Sequence, residues 1–203
     1  MTLNLVTGVS QFEFEDGIDA DFLPVRFIGR SDNQEYEQFS QEFRFTSDLD
    51  GDFDYIGGLF FQSTELVYED QAVLPTPTLI SDVLAGIPPA AGLVPFAPGS
   101  STDRSFNQEG DLWAAFAQGT WTLSDELRVT VGGRYTQETK DADRSQLHKA
   151  NAAFGGQYQS PVVDGPVAGA YNALWGIFAI EPYNTIVGEL DDSSFTPVVT
   201  VEW

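Results

Sequence analysis

Asp48-Leu-Asp-Gly-Asp-Phe-Asp54 sets carboxylates at alternate positions, a pattern that can offer oxygen ligands to a hard divalent cation. Its glycine stands fourth in the run rather than sixth, and no glutamate follows at the twelfth position, so Asp50-Gly51 reads as a tight solvated turn. Charged side chains also recur at even spacing: Glu42 with Arg44, and Arg128 with Arg134 and Glu138. They could hand an ionic ligand along a polar wall. The structural alternative is that they line that wall and pair across strands. Asp16, Asp19, Asp21, Asp191 and Asp192 could attract divalent cations or repel anions, and read as carboxylates of solvated loops. Nothing singles out two of them as the acid and base of glycoside hydrolysis. His148, the single histidine, lies in Ser145-Gln-Leu-His-Lys149, without the glycine elbow of a serine nucleophile, and the chain has no cysteine. No catalytic, cofactor-binding or metal residue is assigned, and the chain is expected not to be an enzyme and to hold no cofactor.

The elements that would position these groups are strands. Leu112 to Asp141 contains two long strand patterns meeting at the polar turn Ser124-Asp-Glu126. In the second, Leu127, Val129, Val131, Gly133 and Tyr135 alternate with Arg128, Thr130, Gly132, Arg134, Thr136 and Glu138. Successive side chains on a strand point to opposite faces, so one face is apolar and the other polar. Strands of soluble sandwiches usually run about 5–6 residues, whereas this pattern continues to Lys140. An apolar face, a charged face and this length together suggest a strand that crosses an outer membrane, lipid on one side and water on the other. The alternation places strands at about 3–15, 37–47, 53–69, 108–122, 126–140 and 194–203. It is clean in the second, fifth and sixth; in the first, third and fourth it leaves the faces open. Trp113 and Trp121 share one face of the fourth strand, separated by ~20 Å along a tilted strand. They suit two interfacial aromatic girdles, or alternatively an interior or core.

The connections alternate in length. Short turns near Asp50 and Asp125 contrast with long loops at about 16–36, 70–107 and 141–193, as in a barrel with periplasmic turns and extracellular loops. Thr78 to Ala85 fits one or two helical turns, with Leu79, Ile80, Val83 and Leu84 on one side. Val167, Tyr171, Leu174, Trp175 and Phe178 fall at helical spacing and predict a short helix within 167–180. The 203 residues carry 31 acidic against 9 basic side chains, a net charge of −22, which excludes a nucleic-acid partner by repulsion. No apolar run is long enough for a membrane-spanning helix. The first residues, Met1-Thr-Leu-Asn-Leu-Val-Thr-Gly8, lack an export signal, so the chain is expected to be an internal piece of a larger protein.

Phe39-Ser-Gln-Glu-Phe-Arg-Phe-Thr-Ser47 followed by Asp54-Tyr-Ile-Gly-Gly-Leu-Phe-Phe61 resembles a strand pair in the barrels of TonB-dependent outer-membrane receptors. Ala115-Phe-Ala-Gln118 with Leu127-Arg-Val-Thr-Val-Gly-Gly-Arg-Tyr-Thr-Gln-Glu-Thr-Lys140 resembles the next hairpin. Phe195-Thr-Pro-Val-Val-Thr-Val-Glu-Trp203 resembles the strand after it, and Val6-Thr-Gly-Val9 the strand before the set. The resemblance implies a barrel of about 22 strands with an N-terminal plug, in the bacterial outer membrane. It also implies partners in the lipid bilayer, the plug and the TonB energy-coupling protein, and energised uptake of a scarce nutrient such as a ferric siderophore. No TonB box, plug or closing strand is recognised in this sequence. The expected fold is all-β: an antiparallel meander of about six long transmembrane-type strands, an open segment of a larger outer-membrane β-barrel with long extracellular loops. Such a segment alone leaves open edges and apolar strand faces, and is expected not to behave as a soluble monomer. A secreted soluble all-β binding or hydrolase domain and a diffusion porin are the alternative readings.

Overall fold

The computed structural model describes the chain except residues 26, 48–50 and 162–164. Six long strands form among the described residues: β1 (Thr2–Asp19), β2 (Gly29–Thr46), β3 (Phe53–Val73), β4 (Ser101–Ser124), β5 (Leu127–Lys149) and β6 (Tyr183–Glu202). They make one sheet in sequence order, every neighbouring pair antiparallel. β1 and β6 are its two edges, so the sheet is open, as the alternating loop lengths lead one to expect. One connection turns at Asp125-Glu126; the turn expected near Asp50 lies outside the described residues.

Cross-strand registers pair odd residues with odd and even with even, except beyond the shifts at Ser124–Leu127 and Gln146–Tyr183. The clean alternation of β5 therefore settles the faces of all its neighbours. Val131 stands opposite Gly119 and Val199, and Tyr135 opposite Ala115 and Phe195. Leu59 stands opposite Ala115 and Phe43, and Phe43 opposite Leu5. The odd face at the turn end is thus apolar and uncovered, with Val199 69% and Leu5 61% exposed. Glycines on this face make room for neighbouring rings. A Cβ on Gly133 would meet the Phe195 ring at 2.6 Å, and one on Gly57 the Phe45 ring at 2.6 Å. Trp121 packs on Phe53 with ring centroids 4.7 Å apart, and Trp113 on Tyr135 at 5.4 Å. Both tryptophans lie on the apolar face, not in a core.

The strands are longer than the alternation suggests. β2 starts at Gly29 rather than 37, β4 at Ser101 rather than 108, β5 reaches Lys149 and β6 starts at Tyr183 rather than 194. The extensions of β2, β4 and β5 are mostly polar on both faces, and in β6 Ile186, Val187 and Leu190 fall on both faces without alternation, so hydrophobic periodicity cannot mark them; cross-strand backbone pairing holds them. The loops shorten accordingly to 20–28, 74–100 and 150–182. Asp16, Asp19, Asp191 and Asp192, read as loop residues, belong to β1 and β6. Asp21 does sit in a loop, where its carboxylate accepts from the Leu23 and Ile28 backbone N–H groups, both at 2.8 Å.

The loops carry the dry core. α1 (Leu79–Ala85) starts at Thr78, whose Oγ1 accepts from Ile80 N at 3.3 Å, and ends at Gly86. A 3-10 segment, Pro88–Phe96, follows it; the sequence pattern did not distinguish it from loop. α2 (Pro166–Gly176) starts one residue before the expected 167–180 range and ends inside it, with proline at its first turn. Tyr171, Leu174 and Trp175 from α2 cluster with Leu74, Ile80, Leu84, Ala97 and Ala150, and Phe27 from the first loop packs against them. The three loops thus fold together into one cap at one end of the sheet. Ala72 and His148, both even, meet this cap, so it leans over the even face.

Candidate functional site: the even face and its cap

Charge is segregated between the faces. Of the nine Lys and Arg residues, Arg30, Arg44, Arg104, Arg128, Arg134, Lys140 and Arg144 fall on the even face. Lys149 is odd, and Arg26 lies outside the described residues. On the odd face, beyond the apolar belt, Glu37, Glu65, Glu109, Asp141 and Glu189 stand opposite one another in a single row across five strands. The even face therefore mixes both signs of charge, whereas the odd face above the belt presents carboxylates in an unbroken row.

At the turn end of the even face, Glu42, Arg44, Phe60, Phe116 and Arg134 line an open recess of about 600 Å³. Arg44 Nε donates to Glu42 Oε1 at 2.8 Å; Arg134 lies 5.8 Å from the Phe60 ring centroid and donates through Nε to Thr136 Oγ1 at 3.1 Å. Lys140 pairs with Glu138 at 2.7 Å and Arg128 with Glu202 at 3.7 Å. Of these pairs, Arg128–Glu202 is the one that crosses between strands. The other pairs run along one strand, because residues two apart share a face within reach of a long side chain. Exposed pairs of this kind contribute about 0–1 kcal/mol each, so the singled-out charges polarise the wall more than they stabilise it.

A tighter network sits nearer the loops, in segments whose polar sequence reads as loop. Arg30 Nη2 donates to Asp32 Oδ1 and Asp70 Oδ2, both at 2.9 Å, and lies 3.0 Å from Tyr68 OH. Tyr68 OH donates to Asp32 Oδ1 at 2.9 Å, and Arg104 also pairs with Asp70. The usable sequence signal was parity: Arg30, Asp32, Tyr68, Asp70 and Arg104 are all even, continuing the polar face past the apolar belt. Rings flank the sheet at both edges: Phe12 of β1 stacks on Tyr36 of β2 at 5.3 Å, and Arg144 of β5 lies 5.5 Å from the Tyr183 ring centroid of β6.

Above the network, His148 is fully buried where β5 meets the cap, stacked on Trp175 with centroids 5.9 Å apart. Neither ring nitrogen has a hydrogen-bond partner. Burial alone lowers its pKa to about 4, so it is held neutral. No serine or carboxylate engages it, in keeping with a packing rather than catalytic place. Tyr171 OH accepts from Asn151 N at 3.0 Å, and burial pushes its pKa up.

On the odd face at the loop end, a second cleft of about 520 Å³ is walled by Tyr158. The Tyr158 OH donates to Asp103 Oδ2 at 2.6 Å, and this bond first, then burial, pushes its pKa up to about 12. Ser101 and Gln71 donate to the other Asp103 oxygen at 2.6 and 3.0 Å. Of the Asp48–Asp54 run, residues 48–50 lie outside the described set; Asp54 accepts from Ser47 Oγ at 3.1 Å. Among the described residues no group of three or more His, Cys, Asp or Glu could hold a metal ion.

Comparison with known proteins agrees with this geometry. The crystal structure of the ferric yersiniabactin uptake receptor FyuA from Yersinia pestis is similar in fold, with a TM-score of 0.59 at 15% identity over 98% of this chain. The chain spans 22% of that receptor's length. No curated protein matches it. The family model described as TonB dependent receptor-like, beta-barrel matches residues 3–203, and the chain belongs to that family of bacterial outer-membrane receptors.

Proposed function

We propose that the chain forms part of the barrel wall of a receptor that takes up a scarce nutrient, such as a ferric siderophore, by TonB-coupled import through the outer membrane. The odd face meets lipid between rows marked by Trp121 and Trp113, and the even face meets the lumen. The extensions beyond Trp113 and the cap stand on the extracellular side. In the intact receptor the recess around Arg44 and Arg134 faces a plug domain, and TonB energises transport. The observation that carries the reading is the segregation of seven cationic side chains to the even face of an open sheet whose odd face is an apolar belt. The same face carries Asp16, Asp32, Glu42, Asp54, Asp70, Glu138, Asp192 and Glu202, so the lumen wall presents both signs of charge and suits a polar chelate with groups for each.

The test is uptake of radioactive iron as ferric chelates by cells with and without the receptor that contains this segment, with TonB present or deleted. Uptake that needs both is expected. Uptake that persists without TonB would point to a diffusion porin, and unchanged uptake without the receptor would remove the siderophore assignment.

A further inference from the structure

We infer that the odd-face cleft walled by Tyr158 is a binding site for a neutral saccharide. Its lining excludes the other common ligand classes. Glu15, Asp32, Glu69, Asp70 and Asp103 line it against Arg104 and Lys149, and Arg104 is already paired with Asp70, so the net negative lining repels phosphates and carboxylates. Hydroxyl, amide and carboxylate side chains dominate the rest, which disfavours an apolar ligand. The described residues offer no group able to hold a metal ion. What remains is a polyol, which needs many donors and acceptors and an apolar surface for its C–H face.

Both are in place. Asn33 and Gln71 present planar amides with donors and acceptors, and Ser31 and Ser105 add hydroxyls. Tyr158 supplies the platform, since the face of an aromatic ring is electron-rich and attracts polarised C–H groups. The ring is pinned before any ligand arrives. Its hydroxyl is held by Asp103, Lys149 Nζ lies 5.2 Å from its centroid, and the residue remains 52% exposed. A volume of about 520 Å³ suits one to three sugar rings. Where the sugar comes from rests on the outer-membrane reading above. The cleft faces outward, roughly 20 Å above the row of Trp113, level with the sugars of an outer-leaflet glycolipid. The same chemistry would take a free saccharide.

The receptor containing this segment, purified in detergent, is titrated with core oligosaccharide released from outer-leaflet glycolipid and dephosphorylated, and separately with maltotriose. Saturation-transfer NMR reads binding. Transfer to the oligosaccharide is expected, weakened roughly tenfold or more by Tyr158→Ala and by less in Tyr158→Phe, which keeps the platform. Tyr158 is half exposed, and unchanged heat-modifiability on gels checks that the barrel is intact. Preference for the oligosaccharide supports the glycolipid source, and equal binding of maltotriose supports a free saccharide. Binding of neither sugar, unchanged binding in Tyr158→Ala, or tighter binding of the phosphorylated oligosaccharide overturns the site. Binding in micelles does not depend on TonB or iron, so failure here and failure of the uptake reading are separate results.

Discussion

The sheet and the cap solve the problem of burial in opposite ways. The six strands carry large apolar side chains, yet on the odd face these stay uncovered within the chain, with Val199 and Leu5 each well over half exposed. Their stability comes from paired backbone and from the lipid that covers such a face. The cap buries Tyr171, Leu174, Trp175 and Leu74 completely, on helices too short to hold by propensity alone. One region depends on its solvent and the other on its own packing. Substitutions should therefore separate them, with cap variants acting alike in micelles and bilayers and belt variants acting only where lipid is present.

The largest effect is expected in the cap. Trp175→Ala removes a buried ring that touches His148 and Phe178 and should destabilise the cap by about 3–5 kcal/mol. Hydrogen exchange of residues 74–100 and 150–182 should rise steeply while the amides of β2 to β5 stay protected. Loss of protection throughout the sheet would mean that the cap is not a separate unit.

In the belt, Val131→Arg should destabilise by roughly 2–4 kcal/mol in liposomes and Thr130→Arg by much less, because the first puts charge into lipid and the second into the lumen. Equal refolding midpoints for the two variants would break the assignment of faces that all the register arguments share.

How far the sequence could be read follows the same division. β5 declared its faces because every second residue from Leu127 to Tyr135 is apolar or glycine, and parity then carries that assignment to every other strand through the register. Where both faces meet water, as from Asp141 to Lys149, alternation has nothing to report, and the ends of the strands were taken for loop. The Arg30–Asp70–Arg104 network was lost for that reason. The helices were legible from Leu79, Ile80, Val83 and Leu84 on one side and from Tyr171, Leu174 and Trp175 at helical spacing. Their joint packing was not, because it unites segments as far apart as Phe27 and Trp175 with no local signature. The cleft at Tyr158 depends on a loop folding back beside Asp103, which no spacing announces.

Acid should loosen the cap before the sheet. His148 is neutral when buried, with a pKa lowered from 6.5 to about 4, so the folded state binds its proton less readily than the unfolded state. The stabilisation is fully present above about pH 6.5 and is lost as pH falls towards 4, a swing on the order of 3 kcal/mol at most. On the same even face Arg30, Asp32, Asp70 and Arg104 pair with one another, and α2 offers only Tyr171, so none of these is left to compensate a charged imidazole. Monitoring Trp175 fluorescence between pH 7 and pH 4 should show cap opening in the parent chain and a flatter profile in His148→Gln. Equal profiles would show that another group controls the transition.

The smallest effect should fall on the row of Glu37, Glu65, Glu109, Asp141 and Glu189. Like charges directly opposite one another on adjacent strands are destabilising, by roughly 0.2–1 kcal/mol per pair. Glu65 has two such neighbours, Glu37 and Glu109, so Glu65→Gln should raise the denaturation midpoint at low salt. The gain should shrink at about 1 M salt, where the screening length falls to roughly 3 Å, shorter than the distance between opposed side chains. Trp175→Ala should hardly respond to salt, since dry packing contains no exposed charge. Salt therefore distinguishes a third source of energy in the molecule, confined to the polar extensions between belt and cap. If Glu65→Gln lowers the midpoint at low salt, the row is held together by a cation or a partner group, and the sheet above the belt is no longer stabilised by backbone pairing alone.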